Sequence, residues 1–454
     1  MADFTIVGAG PVGALMGLLL AQRGHRVHLR ERRPDPRLTP TERGRSINLA
    51  LSARGLVALG RAGVLERVRA SMITMPGRML HDERQQLEFL PYGQNQHEVN
   101  YSVSRAQLNR VIVEAAGEHP AIDLRFHQRC VDLDPHSGMV QLRDEQTGQL
   151  HSESTQILLG ADGAGSSVRG ALVKHGLTRI NEMPLPHDYK ELAIAPVADS
   201  RHGGYAFEPR ALHIWPRGGF MLIALPNMDR SFTATLFLPR HGDCSFERLQ
   251  DSRVLGEFFR YQFEDAAVVI PDLHQQFQQH PQSHLGTIDC QGWHAGGRVL
   301  LIGDAAHAVV PFHGQGLNCG FEDCVVLDRL LSQSPDVATA LASFERERQP
   351  NTSALAEMAL ENYVEMRDDV RSPEFAPRKA LATSLERAFP GRFIPRYSMV
   401  TFHPEISYAE ARRRGAQQQV VLERLVEEFP AIDSDELPPE AVTAARQYLQ
   451  EAGL

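Results

Sequence analysis

The sequence predicts an α/β fold in three parts: a parallel-sheet domain, an antiparallel β-sheet domain that interrupts it, and a helical C-terminal region. Three observations predict it. The chain opens as strand, helix and strand, the unit from which parallel sheets are built. Two more short apolar runs, near residues 157 and 299, each end in a Gly/Asp turn. Between those two, strand-like runs follow one another through short turns, so they pair antiparallel.

Taken in order, Asp3–Val7 reads as a buried strand, Pro11–Arg23 as a helix and Arg26–Leu29 as a second strand. The uncharged run from Phe4 to Ala21 is about long enough to cross a bilayer. No basic segment precedes it, however, and glycines recur inside it, so a buried strand and helix account for it. Ile157–Leu159 and Val299–Ile302 are the next parallel strands. Ala211–Trp215, Phe220–Leu225 and Phe232–Leu238 are strands separated by turns at Pro216–Gly219 and Pro226–Asp229. Helices follow at Asp323–Leu331, Val337–Arg348 and Ala354–Met366. Val420, Val421, Leu422, Leu425 and Val426, set among charges, mark an amphipathic helix that covers the site or offers a packing surface. The expected units are 1–70, 101–180 and 288–365 for the parallel-sheet domain, 71–100 and 181–287 for the β-sheet domain, and 366–454 for the C-terminal helices.

The 454 residues are 42% hydrophobic and 23% charged, an ordinary globular composition. A net charge of -9 gives no reason to expect nucleic acid or an anionic membrane as partner. The basic stretches at Arg43 with Arg45 and at Arg412–Arg414 are short and read as solvated faces. Cys130, Cys244, Cys290, Cys319 and Cys324 are odd in number, scattered and without a C-x-x-C pair. A disulfide framework or a metal site is not expected from them, and a reducing cytoplasm suits them. Monomer and homodimer both remain open.

Gly8-Ala9-Gly10-Pro11-Val12-Gly13 matches G-x-G-x-x-G between the first strand and the first helix. Gly8 permits the tight turn, Gly10 lets the backbone approach a pyrophosphate, and Gly13 lets the helix pack on the sheet. The phosphates then meet free N–H groups at the positive end of the helix dipole. Glu31 ends the second strand, where a carboxylate accepts hydrogen bonds from ribose hydroxyls. Arg32 beside it is a further candidate for the same ligand.

Two more turns choose the dinucleotide. Gly160-Ala161-Asp162-Gly163 continues into Ser166-Ser167-Val168-Arg169, and Gly303-Asp304-Ala305-Ala306-His307 continues through Pro311-Phe312-His313-Gly314-Gln315-Gly316-Leu317-Asn318. An Asp-Gly pair alone is only a turn, but this order, about 140 residues apart, is specific. The chain resembles the single-component flavoprotein aromatic hydroxylases, over its whole length in motif order and most tightly at 4–31, 157–169 and 299–320. The resemblance implies a Rossmann-like FAD-binding domain interrupted by an antiparallel β-sheet substrate domain, with FAD as cofactor and NADPH as co-substrate. It implies that Gly8, Gly10, Val12, Gly13, Glu31 and Arg32 hold the ADP half of FAD. Arg105 is placed near the phosphates, Asp162 near both FAD and the nicotinamide, and Asp304 on the ribityl hydroxyls. Pro311, Gly314, Gly316, Leu317 and Asn318 are placed beside the flavin ring, offering backbone N–H groups. His307 and His313 read as structural or flavin-contacting, and Cys319 and Cys324 as packing.

Within that family the kynurenine 3-monooxygenases are most similar, through Gly77–His81, Leu90–Gln94, Leu360–Asp368 and Tyr397–Phe402. This resemblance implies hydroxylation of L-kynurenine to 3-hydroxykynurenine by O2, through a flavin hydroperoxide, in tryptophan catabolism. It implies that Arg78, Tyr92 and Asn362 bind the amino-acid end and that Tyr397 lies close to the substrate. A buried carboxylate requires a cation, and arginine's fork can hold it by two charge-assisted bonds. Phe232 and Phe312 are candidates to flank the aromatic ring, although strand alternation makes either an equally good core residue. Relatives with a C-terminal membrane helix differ from this chain, whose C-terminal end is amphipathic. Trp215 and Trp293 stand too far apart for the W-x-W-x-I-P of flavin halogenases. The alternatives left are an FAD hydroxylase of another anthraniloyl or phenolic acid, and a flavin-containing redox-regulated interaction module.

Overall fold

The computed structural model describes residues 2–38, 48–368, 375–430 and 437–454; Arg43 and Arg45 lie outside them. The opening strand–helix–strand forms as expected, over Asp3–Val7, Pro11–Gln22 and Arg26–Arg30. Asp3–Val7 lies inside a six-stranded sheet, between Ile157–Gly160 on one side and Arg26–Arg30 on the other. Both pairs are parallel, with Ile6 opposite Leu159 and Leu29. Val299–Leu301 continues the parallel pairing beyond Ile157–Gly160. The chain runs outward from the first strand in one direction and later returns to its other flank. Such a reversal leaves a crevice at the carboxyl ends of the strands. All three glycine turns begin there, after Val7, Gly160 and Leu301.

The first helix explains the long apolar run. It is buried almost all round, between the sheet and its neighbouring helices, so it needs no polar face. Pro11 occupies the first helical position, where its missing N–H costs nothing. Among the described residues, no helix is long and apolar enough to cross a membrane.

The second large sheet has seven strands: Gln282–Gln291, Arg179–Ile194, Phe232–Pro239, Met221–Pro226, Ala211–Pro216, Gly77–His81 and Leu87–Pro91. The three strands read from short turns are consecutive and antiparallel. One pair departs from that pattern: Ala211–Pro216 runs parallel to Gly77–His81. The hairpin Gly77–Pro91 comes from a distant part of the chain and is not bound to the hairpin rule. This parallel junction brings Arg78 opposite Leu212.

Two helices differ from the sequence reading. The helix expected from Asp323 begins at Gly316, so Gly316, Leu317 and Asn318 form its first turn. The two helices expected on either side of Pro350 are one, Val337–Arg367. An interior proline removes a hydrogen bond and costs about 3 kcal/mol. Leu341 and Phe344 before it, and Leu355 and Met358 after it, are all fully buried and hold the helix through the break. At the C-terminal end, Val421 and Leu425 of Tyr408–Glu428 pack on Leu381, Leu385 and Leu449. This helix is a packing surface. Phe375–Ala388 lies over the loop after Tyr92 instead, where Gln94 Nε2 donates to Thr383 O at 2.9 Å and to Glu386 Oε2 at 2.6 Å.

Candidate active site

Gly8 takes φ +102, and a Cβ there would stand 2.5 Å from the Ala161 carbonyl oxygen. A Cβ on Gly13 would stand 2.0 Å from the carbonyl oxygen of Gly8. Gly10 is different: a Cβ there meets nothing within 4 Å, so the turn faces open space at that point. The cleft beyond is lined by Gly8, Gly10, Glu31, Arg32, Arg105 and Asp162 together. Glu31 Oε2 accepts from Ala9 N–H at 2.8 Å and Oε1 from Arg33 N–H at 2.9 Å, which fixes its orientation. Val12 does not line the cleft. A Cβ on Gly320 would lie 2.7 Å from Val12 Cγ2, and one on Gly303 would lie 3.3 Å from Cγ1. Val12 therefore wedges the first helix against the third turn and the Gly316–Gln333 helix.

Asp162 is turned inward. Its carboxylate accepts from the Ser166 hydroxyl and from the N–H groups of Ser167 at 2.6 Å and Val168 at 3.3 Å, capping the helix Ser167–Lys174. Burial pushes its carboxyl above the usual range. Asp304 stands exposed in the first turn of Asp304–His307. Arg169, buried, joins the two turns by donating to the carbonyls of Ala164 and of Ala305, the latter at 3.0 Å. Gly316, Leu317 and Asn318 open a helix whose first N–H groups lack intrahelical partners. The Asn318 side chain, however, is spent on structure. Its Oδ1 accepts from Ser52 N–H at 3.0 Å, and its Nδ2 donates to Ala50 O and Gly314 O, both at 2.9 Å. Pro311 is exposed and Gly314 takes φ +66, so this loop keeps a bare backbone face. These residues fit FAD: an open glycine turn with cations for the phosphates, a ribose carboxylate, a free Asp304 and unpaired helix N–H groups.

Three of the residues expected at the substrate end, Arg78, Tyr92 and Tyr397, converge. The Arg78 guanidinium lies 4.6 Å from the Tyr397 ring centroid and 5.6 Å from that of Tyr92. The two tyrosine rings stack at 5.5 Å, and His313 also stacks on Tyr397, at 5.2 Å. Asn100 Nδ2 donates to the Tyr397 hydroxyl at 3.0 Å. Arg78 is 7% exposed, its Nε has no hydrogen-bond partner, and the one carboxylate near it among the described residues, Glu365, stands 3.9 Å away. Burial pushes the Tyr92 phenol well up, so it stays a neutral donor. Asn362 Nδ2 donates to the Phe312 carbonyl at 2.7 Å, and Phe312 stacks on Tyr363 at 3.9 Å.

Phe232 is a correction. It lies on the opposite face of the seven-stranded sheet from Phe312, among Tyr205, Phe207 and His213. Phe237, odd in register where Phe232 is even, faces Phe312 at 5.0 Å. Half-buried Leu212 and Ile223 pack against both the Phe312 cluster and the Tyr92 cluster. They extend the apolar wall, and no motif announces them.

Behind the flavin-side loop, His307 Nε2 meets Asp323 Oδ2 at 2.6 Å, and Arg348 Nε reaches Asp323 Oδ1 at 2.7 Å. Burial raises the Asp323 carboxyl, but His307 and Arg348 outweigh it and hold it below its usual range. His307, Cys319 and Asp323 come close enough to share a cation. Arg348 already supplies one, donating also to Cys319 Sγ at 3.1 Å. Cys319 and Cys324 are fully buried, and burial pushes both thiols up.

The FAD binding domain family matches residues 1–359. A kynurenine 3-monooxygenase from Myxococcus xanthus (strain DK1622) is 45% identical over 433 residues, 95% of this chain and 92% of that protein. The chain belongs to the kynurenine 3-monooxygenase family. Another kynurenine 3-monooxygenase, from Stenotrophomonas maltophilia (strain K279a), is 45% identical over 92% of this chain and 91% of its own. In fold, the chain is similar to 2-methyl-3-hydroxypyridine-5-carboxylic acid oxygenase, with a TM-score of 0.66 at 20% identity, covering 83% of this chain and 95% of that one. Pseudomonas aeruginosa PqsL gives a TM-score of 0.63 at 20% identity, covering 83% and 98%.

Two residues near Arg78 in this kynurenine 3-monooxygenase family member carry shifted acidities. Lys379, half-buried on Phe375–Ala388, is pulled down to about 8 by burial and by the charge of Arg78. Burial, and then Arg78, push His313 down to about 3. The unfolded chain protonates this histidine near 6.5 and the folded one does not. Its contribution is therefore complete above about 6.5 and is lost as pH falls toward 3, at most about 1.4 kcal/mol per pH unit. Urea unfolding of His313→Phe across the mildly acid range is expected to show a shallower loss of stability than the parent. An unchanged slope means that His313 titrates normally in the fold.

Proposed function

We propose that the chain hydroxylates L-kynurenine at the 3-position, using FAD, NADPH and O2. One observation carries this reading: among the described residues, Arg78 is buried with an unpartnered Nε and no carboxylate closer than 3.9 Å. A desolvated guanidinium is costly until an anion completes it. The carboxylate of an amino-acid side chain supplies that anion, with Tyr92 and Tyr397 beside Arg78 as further donors. The aminophenyl ketone then lies along Leu212, Ile223, Phe237 and Phe312, whose apolar surfaces exclude water. FAD supplies the activation of O2 and the transfer of one oxygen atom to the ring. Gly10, Arg32 and Arg105 would hold its phosphates, Glu31 its ribose and Asp304 its ribityl chain. The buried, uncharged His313 keeps a proton acceptor near the site at neutral pH. Five free cysteines support a reducing compartment such as the cytoplasm.

Titrating the oxidised holoprotein with L-kynurenine and with anthranilate, while following the flavin absorbance, tests the assignment of Arg78. Kynurenine is expected to bind at least about tenfold more tightly, because anthranilate cannot present its carboxylate at the distance of the amino-acid end. Equal affinity would place the recognition on the ring alone.

A further inference from the structure

Tyr397 sits on a helix of seven residues, Arg396–Phe402, too short to be stable by itself. The last carbonyls of such a helix need partners from outside it. Arg54, on the helix Ala53–Arg61, partners one of them and two carbonyls of the segment that follows. Its side chain is fully buried. Nε donates to the carbonyl of Val400 at 2.9 Å, and Nη2 donates to those of His403, at 3.3 Å, and Ile406. The guanidinium lies 4.1 Å from the Tyr408 ring centroid. Nη1 pairs with Glu322, whose other oxygen pairs with Arg348 at 2.5 Å. Arg348 holds Asp323, which in turn accepts from Gly303 N–H at 2.9 Å. Two guanidiniums and two carboxylates thus run unbroken from the Tyr397 helix to the Gly303–Asp304 turn, with their charges balanced in the interior.

We propose that Arg54 is a positioning residue for the substrate: by tying the Val400 carbonyl to those of His403 and Ile406 after the helix Arg396–Phe402, it sets where Tyr397 stands. It is not among the residues that line the phosphate cleft. Its fork reaches three carbonyls and one carboxylate at once, which an ammonium cannot do. The inference rests on the reading that Tyr397 borders the substrate.

The test is steady-state kinetics of the holoenzyme with L-kynurenine. Arg54→Lys keeps a charge for Glu322, and is expected to raise KM about tenfold while kcat changes less and FAD content is retained. Tyr408→Leu removes only the ring beneath the guanidinium; it should shift KM the same way by a smaller factor, and it carries the test if Arg54→Lys does not fold. In a Tyr397→Ala background, either change should add less than about twofold, because the position being set no longer matters. Unchanged KM in Arg54→Lys and Tyr408→Leu, or factors that multiply fully in the double variants, would overturn the proposal. If Tyr397→Ala alone leaves KM unchanged, the assignment of Tyr397 to the substrate site falls first, and the role of Arg54 with it.

Discussion

Arg78→Ala is expected to raise KM for L-kynurenine by about two to three and a half orders of magnitude, from a loss of about 3–5 kcal/mol when a buried ion pair loses one partner. Arg78 is enclosed by Tyr92 and Tyr397, and among the described residues its nearest carboxylate, Glu365, stands 3.9 Å away, so the substrate's carboxylate would be left desolvated and unpaired in the variant. Arg78→Lys should recover only part of the loss, since an ammonium lacks the planar fork. The FAD content of both variants should match the parent, because Arg78 does not line the phosphate cleft. A KM change below about threefold in Arg78→Ala would remove this residue from the substrate site.

Gly13→Ala and Gly10→Ala should fail in different ways. At Gly13 the added Cβ meets the Gly8 carbonyl oxygen at 2.0 Å, so the first helix and its turn must separate. Overpacking of that kind costs at least about 1–3 kcal/mol, and the strain falls on the turn that binds the pyrophosphate. Both apoprotein stability and FAD affinity should drop, the latter by at least about tenfold. At Gly10 the added methyl meets no protein atom within 4 Å. Apoprotein stability should be kept while FAD affinity falls, since the methyl occupies the approach of the phosphates. Thermal melts of the apoproteins, with FAD fluorescence titrations, check both. If Gly10→Ala binds FAD as tightly as the parent, the cofactor does not pass over this turn.

What could be read from the sequence followed from local rules. The first glycine turn, its strand and its helix are fixed by residues within one short segment, and the strands at 211–238 are fixed by the turns between them. Arg78, Tyr92 and Tyr397 were legible only through family resemblance, because three separate segments bring them together. What was not legible depends on tertiary packing. Nothing at Pro350 signals that helix continues through it, since the buried residues that hold it take their partners from distant elements. Phe232 and Phe237 look alike in sequence, and only the register of the sheet decides which one faces Phe312. Asp162 lines the cleft as expected of a ligand residue, and nothing in its motif tells that its oxygens also cap the helix that follows. Arg54 and Asn100 carry no motif. Their partners lie hundreds of residues away, in the C-terminal helices.

The most direct test of the account is NADPH oxidation by the purified holoprotein, measured with and without L-kynurenine and with products identified by mass spectrometry. The account predicts kynurenine-dependent oxidation with 3-hydroxykynurenine as the product. NADPH consumption that yields only hydrogen peroxide, or no stimulation by kynurenine at all, would contradict it.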